Sequence, residues 1–146
     1  MIAVLQRVLE ASVKIENVTA GSINQGLLVF FCVENGDTED KIPYMVEKII
    51  NLRIFEDENG KMSKSLQDIN GDMLIISQFT LAGNTQKGRR PDFTGAAKPE
   101  IAKPMYEKFI REIHKIINGN VAQGQFGADM KVSLINDGPV TMIVKR

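Results

Sequence analysis

Hydrophobic and polar residues alternate near the start of the chain, and this alternation predicts β-strands. The segment Ser12-Val13-Lys14-Ile15-Glu16 alternates strictly, which is the pattern of a strand with one buried face. Asn17 begins a predicted turn, and a return strand is expected over residues 19–24. The run from Gly26 to Val33 is apolar throughout, which indicates a strand that is buried on both faces.

The period of the apolar residues changes after Asn35-Gly36-Asp37, and two amphipathic helices are predicted. The first is expected over about Thr38–Asn51, with Thr38 or Asp40 as its cap. Its stripe at i, i+3, i+4, i+7 and i+8 consists of Ile42, Met45, Val46, Ile49 and Ile50. The second is expected from Pro99 or Pro104 to Ile117, and Asn118-Gly119 ends it.

The remaining segments complete a strand-rich pattern that indicates the fold class. Further strands are expected over residues 53–55, 72–80, 121–126, 130–136 and 140–145. Asp137-Gly138 followed by Pro139 is a turn signal, so a tight connection is predicted between the last two strands. Two helices among many strands indicate an α/β protein with a mixed sheet, or a pair of sheets, and helices on one face. No repeat or low-complexity linker interrupts the chain, so one domain is expected over residues 1–146.

Charge and apolar run length exclude several classes of protein. Eighteen basic and eighteen acidic residues give a formal net charge of zero, which excludes a uniformly basic coat for nucleic acid. The longest apolar run, Gly26–Val33, is far shorter than the roughly 20 residues that a membrane-spanning helix needs. The segment Met1–Arg7 does not resemble a signal peptide, and the single cysteine allows no internal disulfide. A cytoplasmic protein is therefore expected.

Few side chains are suited to acid–base or nucleophilic catalysis. His114, the one histidine, has no carboxylate at helical spacing and is predicted to be solvent-exposed. Cys32 lies in the apolar strand and is interpreted as a small core residue. Ser77 lacks the flanking glycines of a nucleophile elbow, and neither Ser77 nor Thr80 has an evident general base. These residues predict no metal site and no cofactor.

The stretch from Gly83 to Lys98 is a long aperiodic loop with a local excess of positive charge. It has three glycines and one proline, and Asp92 is its one acidic residue. Its basic residues are Lys87, Arg89, Arg90 and Lys98. Arginines on a glycine-rich loop suit phosphate oxygens, so the loop is either a phosphate-binding segment or an ordinary solvated loop.

Two segments of the chain resemble the signature motifs of the D-aminoacyl-tRNA deacylase family. They are Ser77-Gln78-Phe79-Thr80-Leu81 and Asn136-Asp137-Gly138-Pro139-Val140-Thr141. The resemblance extends to three further segments, Ala3–Val8, Gly88–Phe93 and Phe126–Met130, and so covers essentially the whole chain in order.

The resemblance implies an enzyme that hydrolyses the ester joining a D-amino acid to the 3′ end of tRNA. Glycine mischarged on tRNA-Ala is a further implied substrate, and L-aminoacyl-tRNA is rejected. The implied fold has three layers, α/β/β, and the implied assembly is a homodimer with each active site at the subunit interface.

The resemblance also implies roles for individual residues. Ser77, Gln78, Phe79 and Thr80 are expected to line the pocket. Hydrolysis of an ester also needs stabilisation of the oxyanion, and backbone N–H groups near Phe79 and Thr80 are expected to provide it. The tRNA 2′-hydroxyl is expected to assist, so that Thr80 positions the substrate instead of attacking it.

The second motif is implied to filter substrates by chirality. Gly138 and Pro139, joined by a cis peptide bond, are expected to enter the pocket from the partner subunit and to collide with an L side chain. Arg7 and Asn136 are expected to support this motif, and Lys87, Arg89 and Arg90 to bind the tRNA.

Two other kinds of protein fit parts of the pattern. The positive charge of the 83–98 loop suits a non-catalytic RNA-binding module. The Ser77–Thr80 segment suits a hydrolase of small metabolite esters. Catalytic turnover of charged tRNA distinguishes the first alternative from the deacylase, and turnover of a free D-amino-acid methyl ester distinguishes the second.

Overall fold

The computed structural model describes residues 1–146, which form eight strands, two α-helices and two 3₁₀ turns. The strands are β1 (Ile2–Ile15), β2 (Val18–Ile23), β3 (Gly26–Cys32), β4 (Phe55–Glu56), β5 (Met62–Lys64), β6 (Asp72–Ser77), β7 (Val121–Gln123) and β8 (Lys131–Lys145). The helices are α1 (Ile42–Asn51) and α2 (Pro99–His114), and the 3₁₀ turns are Glu39–Lys41 and Phe79–Ala82. Neither helix has the length and apolar character that a membrane crossing requires.

Six of the strands form one mixed sheet, as the sequence pattern predicts. Five of them follow the order β2-β1-β3-β6-β7, and β8 pairs with β1. β1 is antiparallel to β2, β3 and β8, whereas β6 is parallel to both β3 and β7. β4 and β5 form a separate hairpin. The predicted strand at residues 53–55 is displaced, because pairing begins only at Phe55.

The long strand β1 changes partner along its length, and this divides the sheet into two layers. Residues Ile2–Val8 pair with β3, and Ala11–Ile15 pair with β2. The helices cover one face over a cluster of 25 buried residues. A second cluster joins the far half of β1 to the opposite face of the sheet, through Val8, Ala11, Val13, Ile23, Leu28, Leu74 and Ile76. The architecture is the expected three-layer α/β/β fold.

Both helices form where their apolar stripes predict them. The five stripe residues of α1 are all buried, and α1 begins with Lys41 as its N-cap, after the 3₁₀ turn. Neither the 3₁₀ turn nor α1 has a side-chain capping hydrogen bond, so the prediction of Thr38 or Asp40 as the cap is wrong. α2 begins at Pro99, where a missing N–H costs nothing, and Pro104 lies inside it. It ends at His114, three residues short of the predicted Ile117.

The Asp137-Gly138-Pro139 segment is a bulge in one strand, so the prediction of a tight turn between two strands is wrong. β8 is continuous and pairs with β1 on both sides of this segment, at Val8↔Asn136 and Gln6↔Thr141. Residues 137–140 therefore lie opposite Arg7 alone and protrude from the ladder. The Gly138–Pro139 peptide bond is cis. A side-chain carbon at position 138 would stand 2.6 Å from the Asn136 Oδ1, so a larger residue there would require the Asn136 side chain to move.

Candidate active site

The first motif lies where β6 ends, at the carboxyl edge of the parallel strands β3 and β6. The strand ends at Ser77, three residues before the predicted Thr80, because the chain turns into the 3₁₀ turn Phe79–Ala82. The Gln78 N–H donates to the Phe31 carbonyl at 2.9 Å and fixes the start of this turn against β3. Crevices at the carboxyl ends of parallel strands are the usual ligand sites of such sheets.

A cleft of about 610 Å³ opens beside this turn. Ser77, Gln78 and Phe79 line one wall, and the start of α2 and residues 126–130 line the others. The lining is mainly apolar, with Tyr106 and Phe126 among it and their ring centroids 5.8 Å apart. The mainly apolar lining suits a partly apolar ligand, and each of the three wall segments also carries a polar side chain.

Thr80, which was expected to line the pocket with the other three motif residues, is not among the residues that line the cleft, and its hydroxyl has no basic partner. The Gln78 Nε2 donates a hydrogen bond to the Thr80 Oγ1 at 2.5 Å. An amide donor occupies a lone pair of the hydroxyl and removes no proton from it. Phe79, on the cleft wall, is 59% exposed. The geometry suits positioning of a ligand better than activation of a side-chain nucleophile.

Neither Cys32 nor His114 provides the missing base. The Cys32 thiol donates to the carbonyl oxygens of Val33 and Phe79, at 3.5 and 3.6 Å. Burial raises its pKa to about 11, so the thiol keeps its proton near neutral pH and is a core residue as predicted. His114 is exposed at the end of α2, as predicted.

The buried side chain of Arg7 contacts the bulge in β8 that the second motif forms. Its Nε lies 3.0 Å from the carbonyl oxygen of Asp137 and 3.0 Å from the Asp137 Oδ2. Its other guanidinium nitrogens reach the Ile54 carbonyl at 2.6 Å and Glu56 at 3.6 Å. The side chain is 5% exposed, and these acceptors offset the cost of burying its charge.

Asn136 closes the base of the same bulge. Its Nδ2 donates to the carbonyl oxygens of Arg7 and Val140, at 3.0 and 3.2 Å. Gly138 and Pro139 at the tip are exposed and do not line the cleft of their own chain. Within one subunit the fold therefore brings Arg7 and Asn136 to the bulge, but it does not bring the bulge to the cleft.

The basic loop, residues 83–98, has a closed base and an exposed tip. Asn84 and Asp92 exchange two backbone hydrogen bonds of 2.7 and 2.9 Å. The basic residues of the tip are exposed and belong to none of the ion pairs: Lys87, Arg89 and Arg90. The tip does not line the cleft, whereas Phe93 and Lys98 of the same loop do.

Several cleft residues have no assignment from sequence reasoning. Phe93 and Phe126 fall within two segments that carry the resemblance, but nothing in the sequence assigned them to a pocket. Tyr106 belongs to the buried apolar face of α2, so its place in the sequence does not indicate a cleft residue. Its hydroxyl donates to the Ile75 carbonyl at 2.9 Å. Burial raises its pKa, so the phenol stays protonated and holds α2 against β6.

The fold and the cleft define an α/β protein with a ligand site at the carboxyl edge of its parallel strands. The family model described as D-Tyr-tRNA(Tyr) deacylase matches residues 4–145. The D-aminoacyl-tRNA deacylase of Thermosipho africanus (strain TCF52B) is 55% identical over 144 residues, which cover 99% of this chain and 96% of that protein. The protein of the same name from Natranaerobius thermophilus is 51% identical, with the same coverage.

A solved structure extends this similarity to three dimensions. The c-Myc DNA Unwinding Element Binding Protein superimposes with a TM-score of 0.95 at 40% identity, over 100% of this chain and 99% of that chain. The chain therefore belongs to the D-Tyr-tRNA(Tyr) deacylase family, as the two motifs predict. It is an enzyme, a hydrolase that acts on ester bonds.

Proposed function

We propose that this protein hydrolyses the ester bond of D-aminoacyl-tRNA and releases the free D-amino acid and the tRNA. The observation that carries the proposal is the cleft beside Ser77–Thr80, which is formed by the family motif and contains no side-chain nucleophile paired with a base. The names of the relatives support the substrate class.

The ester itself needs a positioned water and a site for the oxyanion. Water adds to the ester carbonyl, and the tetrahedral intermediate collapses with cleavage of the bond to the ribose oxygen, which takes up a proton. The N–H groups of Phe79 and Thr80 begin the 3₁₀ turn, where the first N–H groups have no acceptor within the turn. Removal of one oxyanion donor typically costs about 2.7–4 kcal/mol of transition-state stabilisation. The 2′-hydroxyl of the terminal adenosine, adjacent to the ester, assists this step.

Rejection of L-aminoacyl-tRNA is assigned to the bulge of a second subunit. Gly138 and Pro139 protrude from β8, are exposed, and are fixed from below by Arg7 and Asn136. A rigid backbone at the chiral carbon leaves no room for an L side chain, so discrimination is steric. A hydrogen atom meets no such obstacle, and glycine on tRNA-Ala is therefore a further substrate.

The outer surface of β8 supports a homodimer. Ile135, Met142 and Ile143 of this strand are exposed apolar residues, and Ile143 is 66% exposed. A long outer strand that carries apolar side chains is a typical association surface. Pairing of two copies there brings the bulge of one chain within reach of its partner. The enzyme acts in the cytoplasm, where charged tRNA is found.

The decisive experiment compares matched D- and L-tyrosyl-tRNA at protein concentrations far below that of the substrate. Release of D-tyrosine over many turnovers with little release of L-tyrosine is expected. Stoichiometric binding without turnover would instead support an RNA-binding module. Equal turnover of D-tyrosine methyl ester would support a small-ester hydrolase.

A further inference from the structure

Phe93 follows the closed base of the basic loop and packs edge-on against Phe79. The ring centroids are 5.3 Å apart, and the ring planes meet at 71°. Both rings line the cleft and are partly exposed, Phe93 at 36% and Phe79 at 59%. Neither belongs to the two buried clusters of the protein, so this contact is a feature of the cleft wall and not of core packing.

The basic tip and Phe93 are parts of one hydrogen-bonded unit. The paired backbones of Asn84 and Asp92 close the loop immediately before Phe93. The Asp92 carboxylate then accepts hydrogen bonds from the N–H and the hydroxyl of Thr94, at 2.9 and 3.0 Å. These bonds on either side of Phe93 tie its position to that of the tip, which carries Arg89 and Arg90.

Phe93 also lies against the far end of the 3₁₀ turn that carries the first motif. A side-chain carbon at Gly83 would stand 2.8 Å from the Cε1 of Phe93 and 2.9 Å from the Thr80 carbonyl oxygen. The Gly83 N–H donates to that same oxygen at 3.0 Å. The Phe93 ring therefore contacts Phe79, the first residue of the turn. It also lies close to Gly83, whose N–H makes the last hydrogen bond of the turn.

We infer that Phe93 is a positioning residue, which couples phosphate binding at the basic tip to the placement of the Phe79–Thr80 backbone. The inference rests on the proposed function. A tip held on tRNA phosphates fixes Phe93, and Phe93 restrains the turn whose N–H groups face the developing oxyanion. The phosphate contacts supply affinity, whereas the ring supplies orientation in the transition state, so the two act on different kinetic constants.

The main test is the steady-state kinetics of Phe93→Ala on D-tyrosyl-tRNA. An edge-on aromatic pair accounts for a factor of about 2 to 10, so kcat is expected to fall by that factor while KM and its salt dependence stay within about twofold. Phe93→Tyr keeps the ring and is expected to restore kcat. Tyr44→Ala removes an aromatic side chain of similar exposure (38%) on α1, outside the cleft, and is the matched control. An unchanged kcat, or a rise in KM alone, would overturn the inference.

A double-mutant cycle with Gly83→Ala tests the contact itself. Gly83 has a φ of −66°, which suits alanine, so the added methyl group acts through its close approach to the Phe93 ring and to the Thr80 carbonyl oxygen, of which Phe93→Ala relieves only the first. Gly83→Ala is expected to lower kcat in the wild-type background and to have a smaller effect in Phe93→Ala. Additive effects would show that the ring and the turn act independently.

Hydrogen exchange gives a readout that requires no hydrolysis. The N–H groups of Leu81 and Gly83 donate to the Gln78 and Thr80 carbonyl oxygens, at 3.2 and 3.0 Å. Uncharged tRNA is expected to slow their exchange in the wild type but not in Phe93→Ala. If the wild type shows this protection without hydrolysing D-tyrosyl-tRNA, the proposed function fails and the coupling stands. Hydrolysis with no difference in protection between the two proteins would instead disprove the coupling.

Discussion

Thr80 lies next to the place where chemistry is proposed, but its hydroxyl accepts a hydrogen bond from the Gln78 amide and no base adjoins it. We expect Thr80→Ala to lose less than about tenfold in single-turnover rate, because loss of a true nucleophile costs several orders of magnitude. The matched experiment uses the wild type with tRNA that ends in 2′-deoxyadenosine, for which a large loss is expected. Complete loss in Thr80→Ala, with full activity on the deoxy substrate, would make Thr80 the nucleophile.

Cys32 provides a test of burial at the scale of one residue. Its thiol is 2% exposed and has a pKa of about 11. At pH 8 its thiolate fraction is about 10²-fold below that of an ordinary thiol, so labelling of the native protein by iodoacetamide is expected to be at least that much slower than labelling in urea. Equal rates in both conditions would show that the strand opens readily.

The same shift in pKa predicts the pH dependence of stability. The unfolded chain loses the Cys32 proton near pH 8.5, whereas the native protein keeps it up to about pH 11. The contribution of Cys32 to the free energy of unfolding therefore has its full value below about pH 8.5, and it decreases as the pH rises towards 11. Cys32→Ala, compared with the wild type by urea denaturation between pH 7 and 10, is expected to lack this decrease.

At the scale of elements, the basic loop is a separate unit with a closed base and an exposed tip. If Arg89 and Arg90 each contact a phosphate, replacement of both by alanine is expected to reduce the slope of log affinity against log salt by roughly 1.4–1.8. Lys48→Ala combined with Arg53→Ala removes two exposed basic residues elsewhere and is the control. Equal slopes for the two double variants would mean that the loop arginines are merely solvated.

The bulge in β8 is the second functional element, and its exposed tip is expected to select the substrate. Pro139→Ala is expected to leave β8 paired with β1 on both sides of the bulge, since the ladder pairs at Asn136 and Thr141. The variant is expected to hydrolyse D-tyrosyl-tRNA more slowly or to lose discrimination against L-tyrosyl-tRNA, because the backbone at the chiral carbon is less rigid. Wild-type values for both rates would exclude Pro139 as the filter.

At the scale of the whole molecule, the cleft and the bulge lie apart within one chain, so activity is expected to depend on a second copy. Light scattering is expected to give twice the chain mass of 16.2 kDa. Ile143→Asp alters a side chain that is 66% exposed in the single chain, so a folded monomer with little activity is expected. Met62→Asp, at 59% exposure, is expected to remain dimeric and active. A fully active monomer would contradict the shared site.

The elements that the sequence predicts correctly are those with a strong local period. The stripe of α1, from Ile42 to Ile50, and the apolar strand Gly26–Cys32 are buried as predicted. Periodicity reports which side of an element is apolar, and that information lies within a few neighbouring residues. The two motifs likewise identified the residues of the turn after β6 and of the bulge, because each motif is continuous in the chain.

The tertiary structure alone decides which element or contact each of these local sequence patterns forms. Asp137-Gly138-Pro139 has the composition of a turn, but pairing of Gln6 with Thr141 and of Val8 with Asn136 keeps β8 in one line and makes the segment a bulge. The cleft wall likewise depends on distant segments, since Phe93 meets Phe79 and the Tyr106 hydroxyl meets Ile75 only after folding. Sequence by itself determined the strongly periodic elements and the family, because both are read from adjacent residues. Contacts between residues far apart in the chain determined the shape of the site, because the partner of a strand or a ring is chosen by packing and not by local pattern.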